Sequence, residues 1–264
     1  MAQEHLFGEA YQPVQIARRI EGMGVAKARA DALTVLVLAV LAGAFISLGA
    51  LLYTVVLSES GLGLGPSRLL GGLSFCLGLV LVVIGGAELF TGNNLLAMAW
   101  ASRLIDSRAV LRNWVLVYLG NVVGCLGTVL LVAWAGTAGL GDGAVGEMAL
   151  KIAHGKAQLG LGAAFARGIL CNALVCLATW LAMAGRSVTD KILAILFPIA
   201  AFVALGFEHS IANWFFLPFG LVLDGQGTLS LAGVAGNLVG GTLLVAGMYW
   251  LAYLRGDDGQ ARPS

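Results

Sequence analysis

The sequence predicts an all-α, polytopic membrane protein: six transmembrane helices in a 3+3 inverted repeat, with the second and fifth helices broken. Three observations predict it. The first is composition. Of 264 residues, 59% are hydrophobic and only 11% are charged, less than half of the roughly 25% that a water-soluble domain carries, and the mean hydropathy is +0.92. A soluble enzyme of this length lacks the charge to wet its surface, and a disordered chain is poor rather than rich in apolar residues. The second is a series of apolar runs of bilayer-spanning length, about 20 residues each, without the two-residue alternation of barrel strands. The third is a motif, G-x-E-x-x-x-x-N, that occurs once inside each of two such runs.

Residues 1–31 hold Glu4, Glu9, Arg18, Arg19, Glu21, Lys27, Arg29 and Asp31, with no apolar core of a cleavable signal peptide. Within them, 13–27 mixes Val14, Ile16, Ala17 and Ile20 with Arg18, Arg19 and Glu21. That pattern suits an amphipathic helix lying on the membrane, and equally a soluble cap helix. The first span follows at 32–58. The second, 69–102, carries one charge, Glu88. The third is 113–141, closing a first three-helix repeat over 32–141. An outer loop, 142–166, leads to a second repeat, 167–254. Its spans are 168–185, then 192–223 with Glu208 and His209 inside, then 225–254. Residues 255–264 form a tail.

Most of the 15 Lys and Arg fall on one side of this topology: Arg18, Arg19, Lys27, Arg29, Arg103, Arg108, Arg112, Arg186, Lys191, Arg255 and Arg262. The other side keeps Arg68, Lys151 and Lys156, with Arg167 opening span four. The excess of cations marks the cytoplasmic side, so both termini are expected there, in a multi-pass protein of a bacterial inner membrane. Trp100 and Trp114 flank the loop between spans two and three, where interfacial aromatics are expected.

Composition also narrows the partners. A net charge of +1 offers no basic stretch for nucleic acid. Cys76, Cys125, Cys171 and Cys176 sit in apolar runs without a C-x-x-C pair, so neither a metal site nor a redox dithiol is implied, and no cofactor is expected.

Gly86-Ala87-Glu88-Leu89-Phe90-Thr91-Gly92-Asn93 and Gly206-Phe207-Glu208-His209-Ser210-Ile211-Ala212-Asn213 share the repeated motif. In the same order, Gly120-Asn121-Val122-Val123-Gly124 and Gly236-Asn237-Leu238-Val239-Gly240 share G-N-x-V-G. Two matches in the same order point to duplication, and three spans per copy force the copies to run oppositely through the membrane. Matched interruptions in inverted repeats mark a substrate path. Glycine turns the chain, while Glu88, Asn93, Glu208 and Asn213 satisfy backbone groups that a break frees. Bracing is the main role expected of both glutamates. Pro198 can loosen span five ahead of its break. His209 is the candidate for direct chemistry: it is the one histidine within the spans, beside an acid, and can donate to an anion or move a proton near neutral pH.

These two signatures closely resemble those of the formate/nitrite transporter family. Ala173-Leu174-Val175-Cys176-Leu177-Ala178 after Asn172, Gly185-Arg186-Ser187 and the stretch 236–240 are similar too. The resemblance covers nearly the whole chain. It implies an aquaporin-like protomer with its own pore, a homopentamer in the lipid bilayer, and passage of formate, nitrite or hydrosulfide, with protons as possible co-substrates. It implies that His209 is the central pore histidine, Thr91 the pore threonine, and Lys156 the vestibule lysine, followed by Asn172. Lys151 competes with Lys156, though spacing to Asn172 favours Lys156. It further implies apolar constrictions: Phe75 and Leu79 on the cytoplasmic side, and Leu89, Phe90, Val175 and Phe202 on the outer side. Phe207 and Pro218 look like the formate branch; the short loop at 224–228 departs from it. The mechanism so implied has Lys156 attract the anion and His209 and Thr91 hydrogen-bond it midway. A proton through His209 or water then lets it cross as the neutral acid.

Two other classes fit less well. A water or glycerol pore uses paired Asn-Pro-Ala motifs, and none of Pro13, Pro66, Pro198, Pro218 and Pro263 follows an Asn. A membrane-embedded enzyme needs a nucleophile–base set or metal ligands, and no H-E-x-x-H or paired Asp is present.

Overall fold

A computed structural model describes residues 10–225 together with 227 and 229, and every regular element among them is helical. The helices are α1 Pro13–Arg29, α2 Ala32–Leu57, α3 Leu64–Gly85, α4 Leu96–Ala101, α5 Ser107–Trp134, α6 Ala144–Ala157, α7 Leu161–Ala182, α8 Val188–Ala204 and α9 Ser210–Leu223. Four of them, α2, α3, α5 and α7, are long and apolar enough to cross a membrane. The expected sixth span, the second G-N-x-V-G and the tail lie outside the described residues.

α2 carries no charged residue between its ends. Asp31 caps it by accepting from the Thr34 N–H at 3.0 Å, and these hydrogen bonds from Thr34 hold the Asp31 carboxyl below the usual carboxylate range. The helix packs on α3 on one side and α5 on the other. Backbones touch there because glycine has no Cβ. A Cβ on Gly43 would collide with the Asn121 carbonyl, and one on Gly124 with the Val40 carbonyl. Large apolar side chains such as Leu41, Val123, Leu130 and Phe197 point outward, an apolar exterior that is unfavourable in water and matched to lipid.

Both interrupted spans are broken. α3 stops at Gly85, and the chain runs irregularly to a 3-10 turn at Asn93–Leu95 before the short α4. α8 stops at Ala204, and α9 begins at Ser210. α8 runs unbroken through Pro198, so the interruption falls at the glycine motif and not at the proline.

Three expectations change. The outer loop folds in part as α6, whose Val145, Ala149 and Ala153 are buried, with Ala153 against α9. α1 docks on the protein: Ile16, Ile20, Gly24 and Ala28 form its buried stripe, packed on α4 and α5, which favours the cap-helix alternative. Trp114 is 4% exposed and donates its Nε1–H to the Asn93 carbonyl at 3.1 Å; it braces the first break instead of sitting in an interfacial belt.

Candidate functional site: two matched breaks around a buried histidine

One plan builds both breaks. α3 ends with Gly86 at φ +71° and α8 with Gly206 at φ +73°, the left-handed conformation that glycine adopts without penalty. The next residue folds back onto the helix end in each case: Ala87 N–H to the Val82 carbonyl at 2.9 Å, and Phe207 N–H to the Phe202 carbonyl at 3.0 Å. The glutamate backbone N–H then leaves its own span. Glu88 N–H donates to Leu38 O at 3.2 Å and Glu208 N–H to Arg167 O at 3.4 Å.

Each glutamate side chain accepts from the asparagine five residues on and from a lysine of another helix. Asn93 Nδ2 donates to Glu88 Oε2 at 2.6 Å, and Lys27 Nζ reaches Glu88 Oε1 at 2.9 Å. Asn213 Nδ2 donates to Glu208 Oε2 at 2.8 Å, and Lys156 Nζ reaches the same oxygen at 2.7 Å. A buried carboxylate is tolerable only when so engaged. Lys27 also donates to Asn93 Oδ1 at 2.9 Å, while Asn93 Nδ2 donates to Asn113 Oδ1 at 2.9 Å.

Asn121 locks the first break. Its Oδ1 accepts from Phe90 N–H at 2.9 Å, and its Nδ2 donates to Glu88 O at 2.9 Å and to Ala39 O at 2.7 Å. The G-N-x-V-G motif therefore does two jobs: glycines bring α5 against α2, and the asparagine satisfies backbone groups that the break exposes.

The loops meet at His209, 4% exposed, and Thr91, 3% exposed. His209 Nδ1 accepts from Ala212 N–H at 3.1 Å, capping α9. An acceptor nitrogen carries no proton, so the ring is the Nε2–H form. Nε2 lies 3.2 Å from Thr91 Oγ1, to which it donates. Thr91 keeps its own hydroxyl proton for another acceptor. Cys176 holds the same loop from α7, its Sγ donating to the Thr91 carbonyl at 3.5 Å.

A cavity lies to either side. The first, about 250 Å³, is lined by Lys156, Lys151, Arg68, Arg167, Glu208 and His209 together with Phe75 and Phe202. The second, about 150 Å³, is lined by Lys27, Glu88, Asn93, Leu79, Leu89 and Thr179. Phe75 and Phe202 meet edge to face with centroids 5.6 Å apart, and Phe202 stacks on His209 at 5.8 Å. The apolar residues thus regroup. Phe75 stands with Phe202 in the Lys156 cavity, and Leu89 with Leu79 in the Lys27 cavity. Phe90 lines neither cavity: Asn121 fixes its N–H, and its ring packs on Trp114 and Tyr118. Val175 and Asn172 are buried in α7 and also line neither; Asn172 Nδ2 contacts Cys176 Sγ at 3.9 Å.

Sequence reasoning missed Lys27, Asn113 and the bracing role of Asn121. A signal for Lys27 existed. It adjoins the stripe Ile16, Ile20, Gly24, Ala28 on the face that α1 buries. Among the described residues, no three His, Cys, Asp or Glu side chains gather where a metal could bind.

The family model for formate/nitrite transporters matches residues 14–251. The formate channel FocA of Escherichia coli (strain K12) is 38% identical, over 93% of this chain and 95% of that protein. The formate channel BtFdhC of Bacillus thuringiensis is 37% identical, over 92% and 96%. Among solved structures, a pentameric formate channel with formate bound superposes with a TM-score of 0.71 at 36% identity, covering 85% of this chain and 98% of that one. An FNT family ion channel gives a TM-score of 0.80 at 30% identity, covering 90% and 99%.

Proposed function

The chain belongs to the formate/nitrite transporter family, and from that premise we propose that each protomer is a pore for small monovalent anions, formate foremost. The observation that carries the reading is the buried Thr91–His209 pair between two lysine-bearing cavities. The relatives named as formate channels support formate as the substrate, and the solved relative described as pentameric supports a homopentamer. The surplus of Lys and Arg at the inner loops supports cytoplasmic termini in a bacterial inner membrane, with the Lys156 cavity outside and the Lys27 cavity inside. The relatives named as channels support passage of the anion over its chemical conversion.

Formate is almost wholly anionic at neutral pH, since a simple carboxyl titrates near 4. A bare anion is strongly disfavoured between Phe75 and Phe202. Lys156, bound to Glu208, keeps the outer cavity polar up to that ring, and Lys27 with Glu88 does the same from inside. Between them the donors run in series. His209 Nε2–H donates to Thr91 Oγ1, and the Thr91 hydroxyl donates to the anion. A neutral Nε2–H ring is a hydrogen-bond donor and not a proton source. To give up a proton it must first be doubly protonated, which breaks the Ala212 N–H bond at Nδ1. The proton that neutralises formate for the apolar ring therefore arrives from bulk solvent, relayed by cavity water, and His209 coordinates. Nitrite, with the same charge and two oxygens, meets the same donors.

Formate uptake into proteoliposomes tests this with two variants. His209→Phe removes donor and cap together. His209→Asn keeps an excellent N-cap but lacks the reach of Nε2. Both are expected to slow formate uptake, with His209→Asn still assembling like the parent. Parental flux in His209→Asn would overturn the central role.

A further inference from the structure

The Lys156 cavity is lined by two arginines that the mechanism above does not use. Arg68, from α3, donates Nη1 to the Ala204 carbonyl at 3.3 Å, and Arg167, from α7, donates Nη1 to the Gly206 carbonyl at 3.5 Å. Both guanidinium groups therefore grip the C-terminal end of α8 at carbonyls two positions apart. Gly206 makes room for this: a Cβ there would stand 2.8 Å from Arg68 Nη1. Neither arginine has an ion-pair partner among the described residues. Glu208, the carboxylate that lines this cavity, is engaged by Lys156 and Asn213. Each hydrogen bond uses one terminal nitrogen and leaves the rest of a planar fork of N–H donors on a side chain that lines the cavity. Such a fork matches two coplanar oxygens, whereas an ammonium is a point charge indifferent to the shape of its anion.

We propose that Arg68 and Arg167 form a docking fork at the mouth of the Lys156 cavity that receives planar two-oxygen anions, carboxylates and nitrite, and so favours them over spherical anions. The fork rests on the pore reading above and adds to it the residues that select the substrate. The α8 end anchors both guanidinium groups, so their donors are held in place before the anion arrives.

Arg68→Lys, Arg167→Lys and the double variant keep the charge and discard the fork. In proteoliposomes, each single variant is expected to raise the KM for formate about tenfold, the loss of one charge-assisted hydrogen bond, with the maximal rate within about twofold of the parent. Inhibition of formate uptake by nitrite should weaken in step, and inhibition by bromide should stay at its parental level, whatever that level is. Elution at the parental oligomeric size restricts the comparison to folded protein, and the exposed Arg167→Lys keeps it measurable if the Arg68 variant does not assemble. An unchanged KM overturns the fork. So does a shift shared equally by bromide, or a fall in maximal rate alone, which would mean that the arginines only brace α8. A parent protein that carries no formate would overturn the pore reading instead.

Discussion

Lys27→Met tests whether α1 is part of the pore's frame. The substitution keeps the stem of the side chain and removes the cation facing Glu88. The Glu88 side chain is 9% exposed and that of Lys27 is 19% exposed, so the carboxylate loses its counter-charge in a largely dry place. Breaking a buried pair on one side costs about 3–5 kcal/mol. The lower end applies here, since Asn93 Nδ2 still donates at 2.6 Å and the adjoining cavity of about 150 Å³ admits water. Adding Glu88→Gln removes the stranded charge while leaving an oxygen for Asn93, so the double variant should recover about 2 kcal/mol of that loss. Unfolding of the purified protein, followed by denaturant titration for the four members of the cycle, reads the coupling. Trypsin cleavage at Arg18, Arg19 and Arg29 gives a local reading of α1 and should rise most in Lys27→Met. A double variant whose loss equals the sum of the single losses within about 0.5 kcal/mol would refute the pairing as a link between α1 and the first break.

Thr91→Val keeps the volume and removes the hydroxyl that accepts from His209 Nε2 and donates onward. An unsatisfied buried donor costs about 1–3 kcal/mol, so formate uptake should fall about tenfold or more while the oligomer persists. Gly124→Val should prevent accumulation of folded protein, because its Cβ would run into the Val40 carbonyl and separate α5 from α2. Gly127→Ala, one turn away with nothing within 4 Å of its Cβ position, should be tolerated or gain about 0.5–1 kcal/mol from helix propensity. Yields by fluorescence-detected size exclusion separate the two.

The spans were legible because charge-free runs of this length have few fates. The first was expected at 32–58 and folds as Ala32–Leu57. The fourth, charge-free over 168–185, takes in flanking residues and begins at Leu161. Arg167 looked like a boundary, yet it lies inside Leu161–Ala182 because its guanidinium has a carbonyl to bind at Gly206. α6 was hidden for a related reason: Glu147, Lys151 and Lys156 gave its sequence the charge of a loop, while its stripe of Val145, Ala149 and Ala153 is short. The glutamates, asparagines and central histidine were legible as a repeated motif. The partners that complete them were not, since Lys27 and Asn113 come from other helices with no repeat to flag them. The grouping of the apolar rings was out of reach for a similar reason. Which cavity Phe75 or Leu89 lines depends on contacts between helices far apart in sequence, and Phe90 is held by one asparagine oxygen.

The two breaks, alike in sequence, are filled differently at the centre. Leu89 and His209 occupy equivalent motif positions, each directly after its glutamate. In the first half, Asn121 binds Phe90 N–H, and the leucine at 89 lines the Lys27 cavity. In the second half, the His209 ring itself accepts the Ala212 N–H, so the side chain that caps α9 is also the one that faces the pore. Capping fixes which nitrogen carries the proton, and that orients Nε2–H toward Thr91 of the opposite half. A leucine at 209 would leave the start of α9 without its side-chain acceptor, and a histidine at 89 would place a second donor in the inner apolar ring. The repeated motif provides the glycine-led break twice, and its asymmetric filling leaves one side-chain contact, His209 with Thr91, joining the two loops.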